Sequence, residues 1–210
     1  MRYDLHIHSK YSHKCGTLDP KDIIKYAMKK GLDGIAITDH NTIKGGLETK
    51  KYEDDSIDVI VGCELDTSQG EIIGLFIEEE IKSTDVMDII DEIHSQGGLV
   101  VIPHPFDKFR KHFNKLEDYI GKIDAIEGFN ARCIFNEDNR NARKFAREQN
   151  IQIVAGSDAH YGNEIGSAGI YVSNNIKDEI LNGDIKLFCG KSLPPLNHLR
   201  TKIHKIIKNW

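Results

Sequence analysis

An α/β fold built mainly from parallel strands is what the sequence predicts, on three observations. Short apolar runs alternate with amphipathic stretches along the 210 residues. That rhythm leaves room for helical crossovers, which joins strands in parallel and gives an α/β barrel or a doubly wound sheet. And a residue able to bind metal follows run after run, as expected where strand ends converge on one mouth.

The elements follow in order. Strand-like runs cover Tyr3–Ile7, Gly34–Thr38, Val59–Gly62, Glu71–Phe76, Leu99–Ile102, Ala125–Phe129, Ile151–Ala155 and Gly169–Val172. Helix-like stretches cover Lys21–Lys30, Thr84–Gln96, Glu137–Gln149 and Asn197–Lys208. Asp19 and Pro20 suit the N-cap and first position of the first helix. Ile23, Ile24, Ala27 and Met28 give it an apolar stripe, and Gly31 a stop. Glu71–Phe76 lies too close to Val59–Gly62 for a crossover and reads as a hairpin partner or a local excursion. The third helical stretch needs only a narrow apolar face. The last should pack Leu199, Ile203, Ile206 and Ile207 on the body of the fold. Its Lys202, Lys205 and Lys208 read as solvated charge, with nucleic-acid contact the alternative.

Length and composition suit one domain over residues 1–210, with a motif-bearing body at about 3–172 and a helical tail at about 196–208. A formal net charge of −5 disfavours a duplex-coating protein without excluding nucleic acid. The four cysteines, Cys15, Cys63, Cys133 and Cys189, have neither the density nor the spacing of a disulfide scaffold. No membrane span is expected, the opening residues enter a strand pattern without a signal peptide, and a reducing cytoplasm is the expected location.

The chemistry lies after the strands. The runs are followed in turn by His6-Ile7-His8, Thr38-Asp39-His40, Glu64, Pro103-His104-Pro105 and Ser157-Asp158-Ala159-His160. Residues i and i+2 of a strand share a face, so His-x-His and Asp-x-His can each turn two donors on one ion. Glu64 has two oxygens and could bridge two ions. A lone strand histidine is more often a satisfied structural residue; it is the joint pattern that points to metal. His94, His112, His198 and His204 lie in helical or polar stretches and read as surface residues.

In this order, His6-Ile7-His8-Ser9, Thr38-Asp39-His40, Gly62-Cys63-Glu64, His104-Pro105 and Gly156-Ser157-Asp158-Ala159-His160 resemble the PHP (polymerase and histidinol phosphatase) superfamily, from Tyr3 to about Val172. The resemblance implies a distorted (β/α)7 barrel with two or three divalent transition-metal ions, zinc, manganese or iron, at its mouth. It implies that His6, His8, Glu64 and Asp158 hold one ion, and His13, His40 and His160 a second. Glu64 and His104 hold a third, with Glu71 standing where the family usually has a histidine. His13 stands where many members have an aspartate in Ser-Asp-Gly. The implied activity is hydrolysis of phosphate esters of a small metabolite or nucleotide, the ions activating a shared water. His40, Asp158 and His160 are the candidate catalytic residues.

Arg132 is a candidate phosphate binder, because its planar fork matches phosphate oxygens; a surface salt bridge is the alternative. Arg110 is a weaker candidate of the same kind. Cys133 could face the cluster as a thiolate or be a buried structural cysteine. Only 39 residues separate Glu64 from His104, and 53 separate His104 from Asp158. That leaves no room for a sizeable inserted domain, so an open mouth is expected. Alternative activities are an exonuclease or oligonucleotide phosphatase, and a catalytically silent metal-binding module. An ordinary amidohydrolase, which also begins with His-x-His, is disfavoured by Glu64 and by the Asp-x-His ending.

Overall fold

The computed structural model describes residues 1–13, 15–110, 112–190 and 195–208, with side chains at 195–196 and 205–208 left aside. In chain order these form β1 (Arg2–Ile7), α1 (Pro20–Lys29), β2 (Gly34–His40), α2 (Lys44–Lys50), β3 (Asp58–Asp66), β4 (Glu71–Leu75), α3 (Val86–Ser95), β5 (Leu99–Ile102), β6 (Ala125–Asn130), α4 (Asn136–Glu148), β7 (Gln152–Gly156), β8 (Ala168–Tyr171), α5 (Ile176–Asn182), β9 (Lys186–Cys189) and α6 (Pro195–Lys208). One 3-10 turn, Leu116–Tyr119, precedes β6.

All described strands belong to one sheet in the order β7-β6-β5-β4-β3-β2-β1-β8-β9. The β1–β2, β2–β3, β5–β6 and β6–β7 pairs are parallel. β4 runs antiparallel to both β3 and β5, so it is the expected hairpin partner rather than the end of a crossover. The sheet curls until the segment after β7 meets β1. There His8 N donates to Ala159 O at 2.8 Å, and Ala159 N donates to His6 O at 3.2 Å. The result is the expected α/β fold with a nearly closed, barrel-like sheet, distorted by the antiparallel β4, β8 and β9.

Alternation along the strands sorts residues into an inner and an outer layer. Tyr3, Leu5, Ala36, Ile60, Ile73, Leu75, Leu99, Val101, Ala125 and Val154 pack together inside the barrel. Ile35, Ile37 and Val59 point outward, to Ile23, Ile24 and Ala27 of α1. Val100, Ile102 and Ile126 meet Ile89, Ile90 and Ile93 of α3. Ala36, Thr38 and His40 therefore share the inner face of β2, as Ile60, Gly62 and Glu64 share that of β3. Helix α1 starts as its sequence predicts: the Asp19 side chain accepts from Lys21 N, and Pro20 opens the helix.

Strand β1 breaks the alternation. Tyr3 and Leu5 belong to the inner layer, but Ile7 belongs to the outer one beside α1. The register against β2 slips between Asp4 and Ile7. This bulge reverses the parity, so His6 and His8 face the barrel mouth instead of α1.

Helix α6 departs from expectation. Its Asn197 and Thr201 are buried, whereas Leu199 is 54% and Ile203 47% exposed. The helix docks by its polar side; Ile206, Ile207, Lys205 and Lys208 lie outside the described side chains. Lys202 is exposed. No helix among the described residues is long and apolar enough to cross a membrane.

Candidate metal centre

The carboxylate of Glu64, at the inner C-terminal end of β3, is 1% exposed and has imidazoles on several sides. Its Oε2 lies 3.5 Å from His6 Nε2, 3.3 Å from His8 Nε2 and 3.3 Å from His40 Nδ1. Its Oε1 lies 3.1 Å from His104 Nε2. Asp158 Oδ1 approaches the same group, 3.3 Å from His8 Nε2 and 3.8 Å from His6 Nε2. Glu71 Oε2 is 3.5 Å from His104 Nε2. His160 stacks against His8 with ring centroids 4.4 Å apart, and its Nδ1 is 3.0 Å from Asp158 O.

The structure thus brings together His6, His8, His40, Glu64, Glu71, His104, Asp158 and His160. It does not bring His13 in: that side chain is exposed on the loop after β1. Cys15, fully buried on the same loop, stands with His8 and His40 instead. Donor atoms within 4.8 Å of one another form the groups His6–His8–Asp158, His8–Cys15–His40, Glu64–Glu71–His104, His6–His104–Glu127 and His40–Asp66–Glu71.

These residues fit a metal cluster on two physical grounds. First, polar atoms are left over. Among the described residues, His40 Nδ1 and Glu71 Oε2 are buried without a hydrogen-bond partner. Each such atom costs about 1–3 kcal/mol unless something satisfies it. Second, the facing Nε2 atoms of His6 and His8 lie only 3.1 Å apart, so their lone pairs converge on one point. Burial works against charge on Glu64, yet His6 and His40 hold its carboxyl well below the ordinary value. Asp158 is likewise held low against burial, by Arg110 and His6. Glu71 goes the other way, pushed up by burial and by the neighbouring Glu64 charge.

Supporting groups orient the donors. Glu127, on the inner face of β6, takes His6 Nδ1 at 3.1 Å. Asn130 Nδ2 donates to Glu127 Oε2 at 2.8 Å and to Asp158 Oδ2 at 3.2 Å. Ser12 Oγ is 3.3 Å from His8 Nδ1. Gly156 lets β7 pass close beneath the cluster: a Cβ there would overlap that of His6 and come 2.7 Å from Glu127 Oε1. His104 and Asp158 have left-handed backbones, φ 59° and 56°, which costs each about 1–3 kcal/mol and is typical of functional positions.

Arg110 and Arg132 both line a cavity of about 410 Å³ above the cluster, with His40, Glu64, Glu71, His104, Asp158 and His160. Neither is a surface salt bridge. The Arg110 guanidinium donates to Asp158 Oδ2, to Asp107 Oδ2 at 2.8 Å and to Asn130 Oδ1 at 3.2 Å. Arg132 is 5% exposed, and its Nη1 donates to Glu164 Oε1 and Oε2 at 2.8 and 3.0 Å. Glu164 in turn accepts from His160 N and Tyr161 N at 2.7 and 3.0 Å. Cys133 is buried with its Sγ 3.7 Å from Arg110 Nη2, outside the donor groups, and burial pushes its thiol up.

The mouth is narrower than the sequence suggests, because α6 lies over it. His198, Thr201 and Lys202 line the cavity. His198 is therefore not the plain surface residue expected; its Nε2 lies 2.6 Å from Arg132 O. Thr201 Oγ1 accepts from Arg132 Nη2 at 3.1 Å. Sequence reasoning missed Cys15, Glu127 and Asn130 as members of the site, and the place of this helix at the cavity, though not the helix itself. A glutamate inside the apolar run Ala125–Phe129 was the available signal for Glu127.

An uncharacterized protein of Methanocaldococcus jannaschii is 43% identical over 143 residues, covering 62% of this chain and 82% of its own. A second uncharacterized protein of that organism is 38% identical over 181 residues, 82% of this chain and 71% of its own. In fold, the chain matches a two-domain protein from Bacteroides vulgatus described as containing a predicted PHP-like metal-dependent phosphoesterase. The TM-score is 0.75 at 18% identity, over 98% of this chain and 69% of that one. The profile of the PHP domain matches residues 4–182. That span runs from the strand bearing His6 and His8 past Asp158 and His160, and the chain belongs to the PHP domain family.

Proposed function

We propose that the protein is a metal-dependent phosphoesterase that hydrolyses phosphate esters of a small metabolite or nucleotide. The observation that carries this reading is the convergence of Glu64 with His6, His8, His40, His104 and Asp158 at the strand ends, in a buried cluster with unsatisfied donors. His6, His8, Glu64 and Asp158 would hold one ion. His40 and Cys15, with His8 or His160, would hold a second. Glu64, His104 and Glu71 would hold a third. Imidazole and carboxylate suit zinc, manganese and iron alike, but a thiolate at the second position favours zinc or iron. Bound there, the ions supply an ionisable water near neutral pH and positive charge facing the phosphoryl oxygens.

The protein's own groups do the rest. Arg110, and Arg132 in the cavity wall, add cationic charge where a phosphate would sit. Helix α6 narrows the mouth, which suits a small substrate and limits water. Hydrogen bonding of His160 Nδ1 to Asp158 O leaves its Nε2 as a lone-pair nitrogen, able to ligate an ion or to accept a proton. His40, whose pKa is, against burial, raised to about 10 by the neighbouring Glu64 charge, is the candidate to protonate the leaving oxygen.

The test is phosphate release from a panel of sugar phosphates, nucleotides and short oligonucleotides, with zinc, manganese and iron supplied in turn. The expected result is turnover with at least two bound equivalents of metal, abolished in His8→Ala and Asp158→Asn. Protein carrying those equivalents without hydrolysing any phosphoester would overturn the activity. Unchanged turnover in both variants would overturn the location.

A further inference from the structure

Phe109 and Phe135 stack on each other in solvent. Their ring centroids are 5.6 Å apart and their planes 25° from parallel. Phe109 is 63% exposed and Phe135 45%. Folding alone does not account for two phenyl rings paired in water, since burying either would be favourable by about 1.5–3 kcal/mol. The pair is held in place. Phe109 N donates to Asp107 Oδ1 at 2.8 Å, and Lys108 N donates to the buried Asp138 at 3.4 Å. Phe135 occupies the N-cap position of α4, where its backbone carbonyl accepts from Asp138 N at 3.1 Å. Lys108 Nζ lies 5.6 Å from the Phe135 centroid, adding a cation to the platform.

Position gives the pair a purpose. Phe109 lines the same cavity as Glu64, Asp158 and His160. Its chain neighbour Arg110 donates to Asp158. Phe109 and Arg110 thus belong to the wall of one cavity, which the cluster also lines. We propose that Phe109, backed by Phe135, is the stacking platform for the planar base of a nucleoside monophosphate whose phosphate lies at the cluster. This rests on the phosphoesterase reading and narrows its substrate class.

Three features favour a mononucleotide. Phenyl rings offer a flat apolar face with no hydrogen bonds, which suits stacking by the planar π-system of a base. A cavity of about 410 Å³ roofed by α6 falls in the range of small-ligand sites. And a formal charge of −5 disfavours a polynucleotide backbone as the ligand.

The experiment compares AMP with ribose 5-phosphate, which has the same sugar and phosphate without the base, in metal-loaded protein. AMP is expected to be preferred in kcat/KM. Phe109→Ala should reduce that preference roughly tenfold, mainly through KM, because base stacking on an aromatic ring is of that strength. Phe109→Trp should retain it. An equal rate for the two esters, or a preference that survives Phe109→Ala, overturns the platform. A marked preference for 5′-phosphorylated oligonucleotides over AMP overturns the mononucleotide. If neither ester is hydrolysed, the activity falls separately, and binding still decides the platform. In a Phe109→Trp, Trp210→Phe protein, AMP should quench the fluorescence and ribose 5-phosphate should not; no quenching by AMP refutes the stack.

Discussion

Cys15 is the residue whose placement most alters the chemistry expected of the cluster. The loop between β1 and α1 has neither helical nor strand periodicity, so nothing in its pattern says which side chain turns inward. The family resemblance implied His13 as a ligand; the fold exposes it and buries Cys15 beside His8 and His40. If the thiolate ligates, cobalt-loaded protein will show a sulfur-to-cobalt charge-transfer band in the near ultraviolet. Cys15→Ala should abolish that band, while His13→Ala and Cys133→Ser should keep it. A band unaffected by Cys15→Ala would remove Cys15 from the ligand set. The other donors were legible because they follow strand-like runs in succession, and strand ends converge on one mouth. Arg132 was legible as a cation near the mouth. Its engagement by Glu164 was not, because that carboxylate lies 32 residues away in an irregular segment.

Among the elements, β1 and α6 illustrate opposite limits of pattern reading. Tyr3, Leu5 and Ile7 alternate perfectly, which on a regular strand would put His6 and His8 on the face away from the apolar interior. The bulge that aims them inward leaves no mark in the pattern; only the ligand-like spacing hinted at it. Helix α6 has an apolar stripe, and its natural reading is a helix packed by Leu199 and Ile203. Instead Arg132, fixed by Glu164, presents its guanidinium to Thr201 and its carbonyl to His198, and these polar bonds select the face that docks. The Arg132–Glu164 pair is almost wholly buried, so breaking one side should cost roughly 3 kcal/mol. Arg132→Ala is therefore expected to lower stability in urea unfolding by that amount and to speed hydrogen exchange in α6. Arg132→Met combined with Glu164→Gln should lose less than Arg132→Ala alone, because the glutamine keeps an acceptor for the His160 and Tyr161 amides. Wild-type exchange in α6 after loss of Arg132 would show that the helix is held by something else.

For the whole molecule, the rhythm of strands and helices announced the α/β class, and the short spacing before Glu71 announced the antiparallel β4. The short α2 and the strand β9 went unread: Gly45 and Gly46 weaken the helical signal of the first, and Lys186–Cys189 is too short and too mixed to stand out. Closure of the sheet was beyond local pattern altogether, since it depends on Ala159 reaching back to His6 and His8. That meeting has a kinetic meaning. The donors on β1 and those after β7 are separated by about 150 residues of chain, so the cluster is among the last things folding can assemble. An ion that needs both ends has little to hold in the early, locally structured chain. Metal should therefore leave the refolding rate nearly unchanged while slowing unfolding, by up to the full factor by which it stabilises the native state. Stopped-flow chevrons with and without zinc measure this directly; a refolding limb accelerated by metal would mean that the two ends meet before the barrel forms. On this account the ions act as a latch on an already wound chain, and their loss would shorten the lifetime of the fold far more than it would delay its birth.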